Sequence, residues 1–76
     1  MTRYNDIMRI IEAIEHRKGL FVSRDNRQIV IIQHCDNNEI TNAIEEIERN
    51  CNQVINFRNG KKFVFEQFKV LFIEKN

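Results

Sequence analysis

The sequence predicts an α+β domain of order αββαββ(β), with both helices on one face of an antiparallel sheet of four to five strands. Three observations predict it: two isoleucine stripes at helical spacing, two apolar strand pairs each broken by a short polar turn, and a self-alignment of the chain. Residues 5–19 align with 38–52 and, after one inserted residue (Gln53), residues 20–33 align with 54–67. Asn5/Asn38, Ile7/Ile40, Ile11/Ile44, Ile14/Ile47, Glu15/Glu48, Arg24/Arg58 and Val30/Val64 are among the identical pairs. A nearly constant offset of this size, 33 and then 34 residues, is the mark of an internal repeat; two amphipathic helices and two hairpins also come to look alike through convergent patterning alone. The expected organisation is a single domain, 1–76, built as a tandem αββ duplication: copy one over 5–33, copy two over 38–67, and a C-terminal apolar strand over 68–76.

The first helix follows from Ile7, Ile10, Ile11 and Ile14, whose i, i+3, i+4, i+7 spacing lines one helical face. Asn5 is its expected N-cap, with Asp6 placed where the helix dipole favours negative charge. Gly19 suits the left-handed residue that ends a helix. The first hairpin is expected as Leu20–Arg24 and Arg27–Gln33 around Asp25-Asn26, residues that tolerate positive φ. The second helix repeats the pattern with Ile40, Ala43, Ile44 and Ile47, capped by Asn38 and closed by Asn52. Its hairpin is expected as Val54–Arg58 and Lys61–Gln67 around Asn59-Gly60, the stronger turn signal of the two. Phe68, Val70, Leu71, Phe72 and Ile73 then form a further strand, expected as a continuation of the preceding one past a bulge at Glu66-Gln67.

Two-residue turns fix which side chains share a face. Leu20, Val22, Ile29 and Ile31 fall together, as do Val54, Asn56, Phe63 and Phe65, and these are expected to pack beneath the helices. Antiparallel sheets commonly keep the other face polar. Here it carries Phe21, Val30 and Ile32 from one hairpin and Ile55, Phe57 and Val64 from the other. Six large apolar side chains reach the size of the largest patches usual on soluble monomers. Two helices cannot cover both faces, so either the C-terminal strand folds across the second face or another chain does.

Charge is patterned, not global. The formal net charge is +1, so no overall field drives the chain toward nucleic acid or acidic membranes. Basic residues collect at the hairpin tips: Arg24 and Arg27 in copy one, and Arg58, Lys61 and Lys62 in copy two. Two such tips could grip phosphates or an acidic protein surface. Charged tips also deter edge-to-edge pairing with no further role. Phe57, Phe63 and Phe65 interleave with the second tip as stacking platforms would, yet phenylalanines in the strands of a small domain also make its core.

No catalytic, cofactor-binding or metal-binding pattern is present. There is no Cys-x-x-Cys, and adjacent His34 and Cys35 on a strand point to opposite faces. No glycine-rich phosphate loop exists, and with two glycines the backbone has little means to cradle a phosphate. Cys35 and Cys51 are expected as free, partly buried thiols of a reducing compartment. No apolar run approaches the ~18 residues of a membrane span, and the expected location is the cytoplasm. Twelve isoleucines and ten asparagines point to AT-rich coding, as in many phages and low-GC bacteria.

The functional expectation is therefore a small non-enzymatic protein-interaction module with no cofactor. It would be a homodimeric regulator or inhibitor docking on a larger protein assembly, as a phage-encoded factor acting on a host machine would. The alternative is a nucleic-acid-binding protein that uses the two basic tips.

Overall fold

The computed structural model describes residues 3–75. Helix α1 spans Tyr4–Ile14 and buries Ile7, Met8, Ile11 and Ile14 on one side. It begins before the expected cap at Asn5. Arg3 is the extended residue at its N-terminus, and the Arg3 backbone N–H donates to the Asp6 carboxylate at 3.3 Å. The helix also stops a turn earlier than Gly19 suggested. Residues 15–19 continue as turns, and Gly19 takes its positive φ, +82°, at the entry to the sheet.

Strands β1 (Leu20–Asp25) and β2 (Gln28–Gln33) form the first hairpin. Its turn is Asn26-Arg27, at φ 46° and 69°, the two successive positive values of a type I′ turn. The turn lies one residue later than expected, so Arg24 pairs with Ile29 and Val22 with Ile31. Moving the turn by one residue changes each partner by two positions along the strand. Side chains alternate with period two, so every residue keeps its predicted face.

Helix α2 spans Asn38–Asn50 and buries Ile40, Ala43, Ile44 and Ile47. Asn37, not Asn38, caps it: its Oδ1 accepts from the backbone N–H groups of Glu39 at 2.8 Å and Ile40 at 3.3 Å. The C-cap residue Cys51 is already extended, so Asn52 has no left-handed role. Strands β3 (Gln53–Phe57) and β4 (Gly60–Val64) follow around an Arg58-Asn59 turn, one residue earlier than expected. Neither turn residue has positive φ. Gly60 instead opens β4, where a Cβ would lie 2.0 Å from the Phe72 carbonyl oxygen.

The C-terminal strand β5 (Lys69–Glu74) departs most from expectation. It neither continues β4 past a bulge nor crosses the second face. It occupies the centre of a five-stranded sheet of order β1-β2-β5-β4-β3. A turn at residues 65–68 reverses the chain, with the Phe65 N–H donating to the Phe68 carbonyl at 2.9 Å and the two rings stacked at 4.3 Å. Thus β5 pairs antiparallel with β4 and parallel with β2. The sheet is mixed, not purely antiparallel. Parallel neighbours need a long crossover, and α2, β3 and β4 together provide it.

The core lies between the helices and one sheet face. Ile7, Ile11, Ile40 and Ile47 meet Ile29, Ile31, Phe63 and Val70, all fully buried. Leu20 and Phe65 are buried as expected; Val22 and Val54 are half-buried, and Asn56 is exposed. Both helices therefore sit on the same side. Because the two hairpin turns fall on non-equivalent positions of the self-alignment, the hairpins match less closely than the helices do.

Candidate functional site

Strand pairing places the side chains of the helix-free face in three cross-strand rows. The first row runs Phe21, Ile32, Ile73, Gly60, Phe57. The second runs Ser23, Val30, Leu71, Lys62, Ile55, and the third Asp25, Gln28, Lys69, Val64, Gln53. Two rows are mainly apolar and the third mainly polar. All six apolar residues expected on this face, Phe21, Val30, Ile32, Ile55, Phe57 and Val64, lie on it. Leu71 and Ile73 join them from the central strand.

Nothing among the described elements lies over these rows, since the helices pack on the opposite side and all five strands are within the sheet. Phe21 is 61% exposed and Phe57 46% exposed, while Val30, Ile32, Ile55, Val64, Leu71 and Ile73 are half-buried. Side-by-side neighbours within the sheet give that partial cover. At one end of the first row Phe21 meets His34 edge to face, ring centroids 5.3 Å apart. At the other end the Lys62 ammonium stands 5.9 Å from the Phe57 ring centroid, a weak exposed cation–π contact. Asp25, Lys62 and Lys69 are the charged residues of the three rows.

The five basic residues expected at the tips do not form one patch. The Asn26-Arg27 turn extends from the third row and the Arg58-Asn59 turn from the first, so the tips point from opposite ends of the sheet. Arg24 is paired with Glu15 at 2.9 Å and Lys61 with Glu48 at 3.1 Å, both on the helix side. Arg17 makes a third helix-linking pair with Glu39. Such surface pairs contribute little to stability, about 0–1 kcal/mol each, but they already engage Arg24 and Lys61. Lys62 belongs to the uncovered face. Arg27 and Arg58 remain in the turns.

The remaining candidate groups stay apart. Cys35 is exposed, contrary to expectation, and Cys51 is half-buried at the end of α2; both are free thiols. Burial pushes the Cys51 thiol up from its ordinary value, and that thiol donates to the Glu48 carbonyl at 3.1 Å. No three His, Cys, Asp or Glu side chains gather into a metal cage among the described residues. A groove of about 330 Å³ between α2 and the β3–β4 turn is lined by Thr41, Glu45, Glu48, Arg58, Lys61 and Glu74, among others. Its mixed charges differ from the apolar lining usual for small-molecule sites. Gln33, the one buried polar residue at its wall, is satisfied by donating to the Cys35 carbonyl at 2.6 Å.

No helix among the described residues is long and apolar enough to cross a membrane. Comparison with protein-family models, curated proteins and solved structures yields no match.

Proposed function

We propose that this chain is a non-enzymatic protein-interaction module whose uncovered sheet face is its docking surface. One observation carries the reading: eight apolar side chains occupy that face, and the strand that could have covered them is built into the middle of the sheet. Full burial of a valine, isoleucine, leucine or phenylalanine contributes ~1.5–3 kcal/mol. At the half-buried positions at most about a third of that remains available to a partner, and about half at Phe21 and Phe57. Summed over the face, this reaches the lower part of the ~5–15 kcal/mol that holds a typical domain together.

The role that fits is a small regulator or inhibitor that acts by covering, and being covered by, another polypeptide. It would work in the cytoplasm, where Cys35 and Cys51 stay reduced. We read the two αββ units as copies of one ancestral unit. The paired helix stripes and the flanking positions of the hairpins about β5 support this, despite the displaced turns. Nucleic-acid binding has less support, because the two basic tips point apart and two of the five cations are already paired.

A photoreactive phenylalanine analogue tests the docking surface in the cell from which the chain derives. Placed at Phe21 or Phe57, it should cross-link to discrete polypeptides, whereas the same group at exposed Asn42 on α2 should not. Equal yields at all three positions, or none at any, would remove the support for this face.

A further inference from the structure

We infer that the uncovered face is occupied by a second copy of this chain, packed face to face about a twofold axis that runs along β5. This rests on reading that face as a docking surface and names its occupant. The face is self-complementary. With β5 central and two strands on either side, a half-turn about β5 lays β1 over the other copy's β3, and β2 over its β4. Each cross-strand row then lies over its own counterpart.

In the first row Phe21 meets Phe57, Ile73 meets its own equivalent, and Ile32 stands over Gly60, which offers a hollow where a side chain would collide. In the second row Leu71 meets its equivalent, Ile55 faces the small Ser23, and the Lys62 stem lies along Val30 with its ammonium free to reach the edge. Large residues therefore face small ones at two positions in each copy. The alternative half-turn, across the strands, sets Phe21 over Asp25 and Ile73 over Lys69, and loses this match.

Charge opposes the pairing only weakly. Each chain carries a formal net charge of +1, so two copies repel weakly. The one like-charge meeting is Lys69 with its equivalent in the polar third row. Lys69 opens β5 at the rim of the face and is exposed, so its long stem carries the ammonium outward into solvent.

The buried area is modest. Five strands of five or six residues make a face of roughly 24 by 20 Å. Two such faces remove on the order of 1,000–1,200 Å² from water, the lower edge of standard specific interfaces. The expected dimer therefore forms in the micromolar range and is absent at high dilution.

Two measurements on the full chain test this. Light scattering from about 1 to 500 μM, a span chosen around an interface of this size, should show the mass rising from one chain to two. Leu71→Lys should hold it at one chain throughout, weakening association by at least about 100-fold, because it buries two ammonium groups on the axis. Far-UV circular dichroism should remain that of the native chain; should Leu71→Lys fail to fold, Val30→Lys, which would face Lys62 of the other copy, reads the same interface. The second measurement fixes the geometry in a Cys35→Ser, Cys51→Ser background. Leu71→Cys should be cross-linked to its equivalent by a short bis-maleimide. Phe21→Cys alone should not, since its equivalents lie four strands, roughly 19 Å, apart, but a mixture of Phe21→Cys and Phe57→Cys should.

A wild-type chain that keeps the mass of one copy throughout overturns the inference. So does a dimer that survives both lysine variants, or one in which Phe21→Cys alone cross-links as well as Leu71→Cys. If the chain is monomeric and photoreactive Phe21 or Phe57 still captures another protein, the docking surface stands and only its occupant is wrong. If both experiments are negative, both readings fail.

Discussion

Replacing Gly60 by alanine should destabilise the domain by about 2–3 kcal/mol, the upper range for an overpacked site. The usual expectation has the opposite sign. Alanine for glycine ordinarily stabilises by ~0.4–1 kcal/mol, because it restricts the unfolded chain. Here the added methyl group would sit 2.0 Å from the Phe72 carbonyl oxygen and 3.1 Å from Cα of Ile73. Those atoms belong to the backbone of the central strand, which is tied to β2 on its other side and cannot swing away as a long side chain could. The methyl group must push β4 and β5 apart where they pair. Chemical denaturation of Gly60→Ala, compared with an alanine at exposed Ser23, measures the difference; an increase in stability at Gly60 would show that the two backbones do not approach so closely.

A loss of about 3–5 kcal/mol is expected for Phe63→Ala, the range for deleting a buried aromatic ring. Phe63 is fully buried on β4, pairs with Val70 across to β5, and stands beneath the isoleucine stripes. Small domains bury a smaller fraction of their surface than large ones, so this change removes much of the margin, and the variant should be largely unfolded at 37 °C. Phe57→Ala is the matched contrast. It removes the same ring from a position 46% exposed on the uncovered face, and its cost should stay near the ~0.5 kcal/mol of ordinary surface changes. Thermal unfolding of the two variants at low concentration separates core from docking surface; equal losses would mean that the two faces had been assigned wrongly.

The local elements were legible because their signals are periodic. The stripes Ile7, Ile11, Ile14 and Ile40, Ile44, Ile47 place both helices, and alternation along the strands sorts core from uncovered face even where the turn is displaced. The turns themselves were ambiguous. Asp25, Asn26, Asn59 and Gly60 all tolerate tight turns, so more than one frame satisfies the local chemistry. Cross-strand packing then decides, and in β4 the close passage of β5 places Gly60 within the strand. Asn37 and Asn38 offer the same choice at the start of α2, and the side chain that reaches two free N–H groups prevails.

The position of β5 was not reached from the sequence, because strand order depends on pairings between distant segments. One signal pointed to it. Val70-Leu71-Phe72-Ile73 is apolar without alternation, as expected for a strand flanked on both sides and packed on both faces. Read that way, it would have added Leu71 and Ile73 to the docking surface. The ion pairs of Arg24 and Lys61 are not legible in the hairpins for a similar reason: their partners, Glu15 just past α1 and Glu48 on α2, come from outside the strands.

Isoleucine methyl groups report directly on the claim that the uncovered rows, and no other surface, meet a partner. In a chain with labelled isoleucine methyls, raising the concentration into the high micromolar range should shift the signals of Ile32, Ile55 and Ile73, while those of Ile7, Ile11, Ile40 and Ile47 stay fixed in the core. Unchanged signals from Ile32, Ile55 and Ile73, both on concentration and on addition of any polypeptide cross-linked through Phe21 or Phe57, would contradict it.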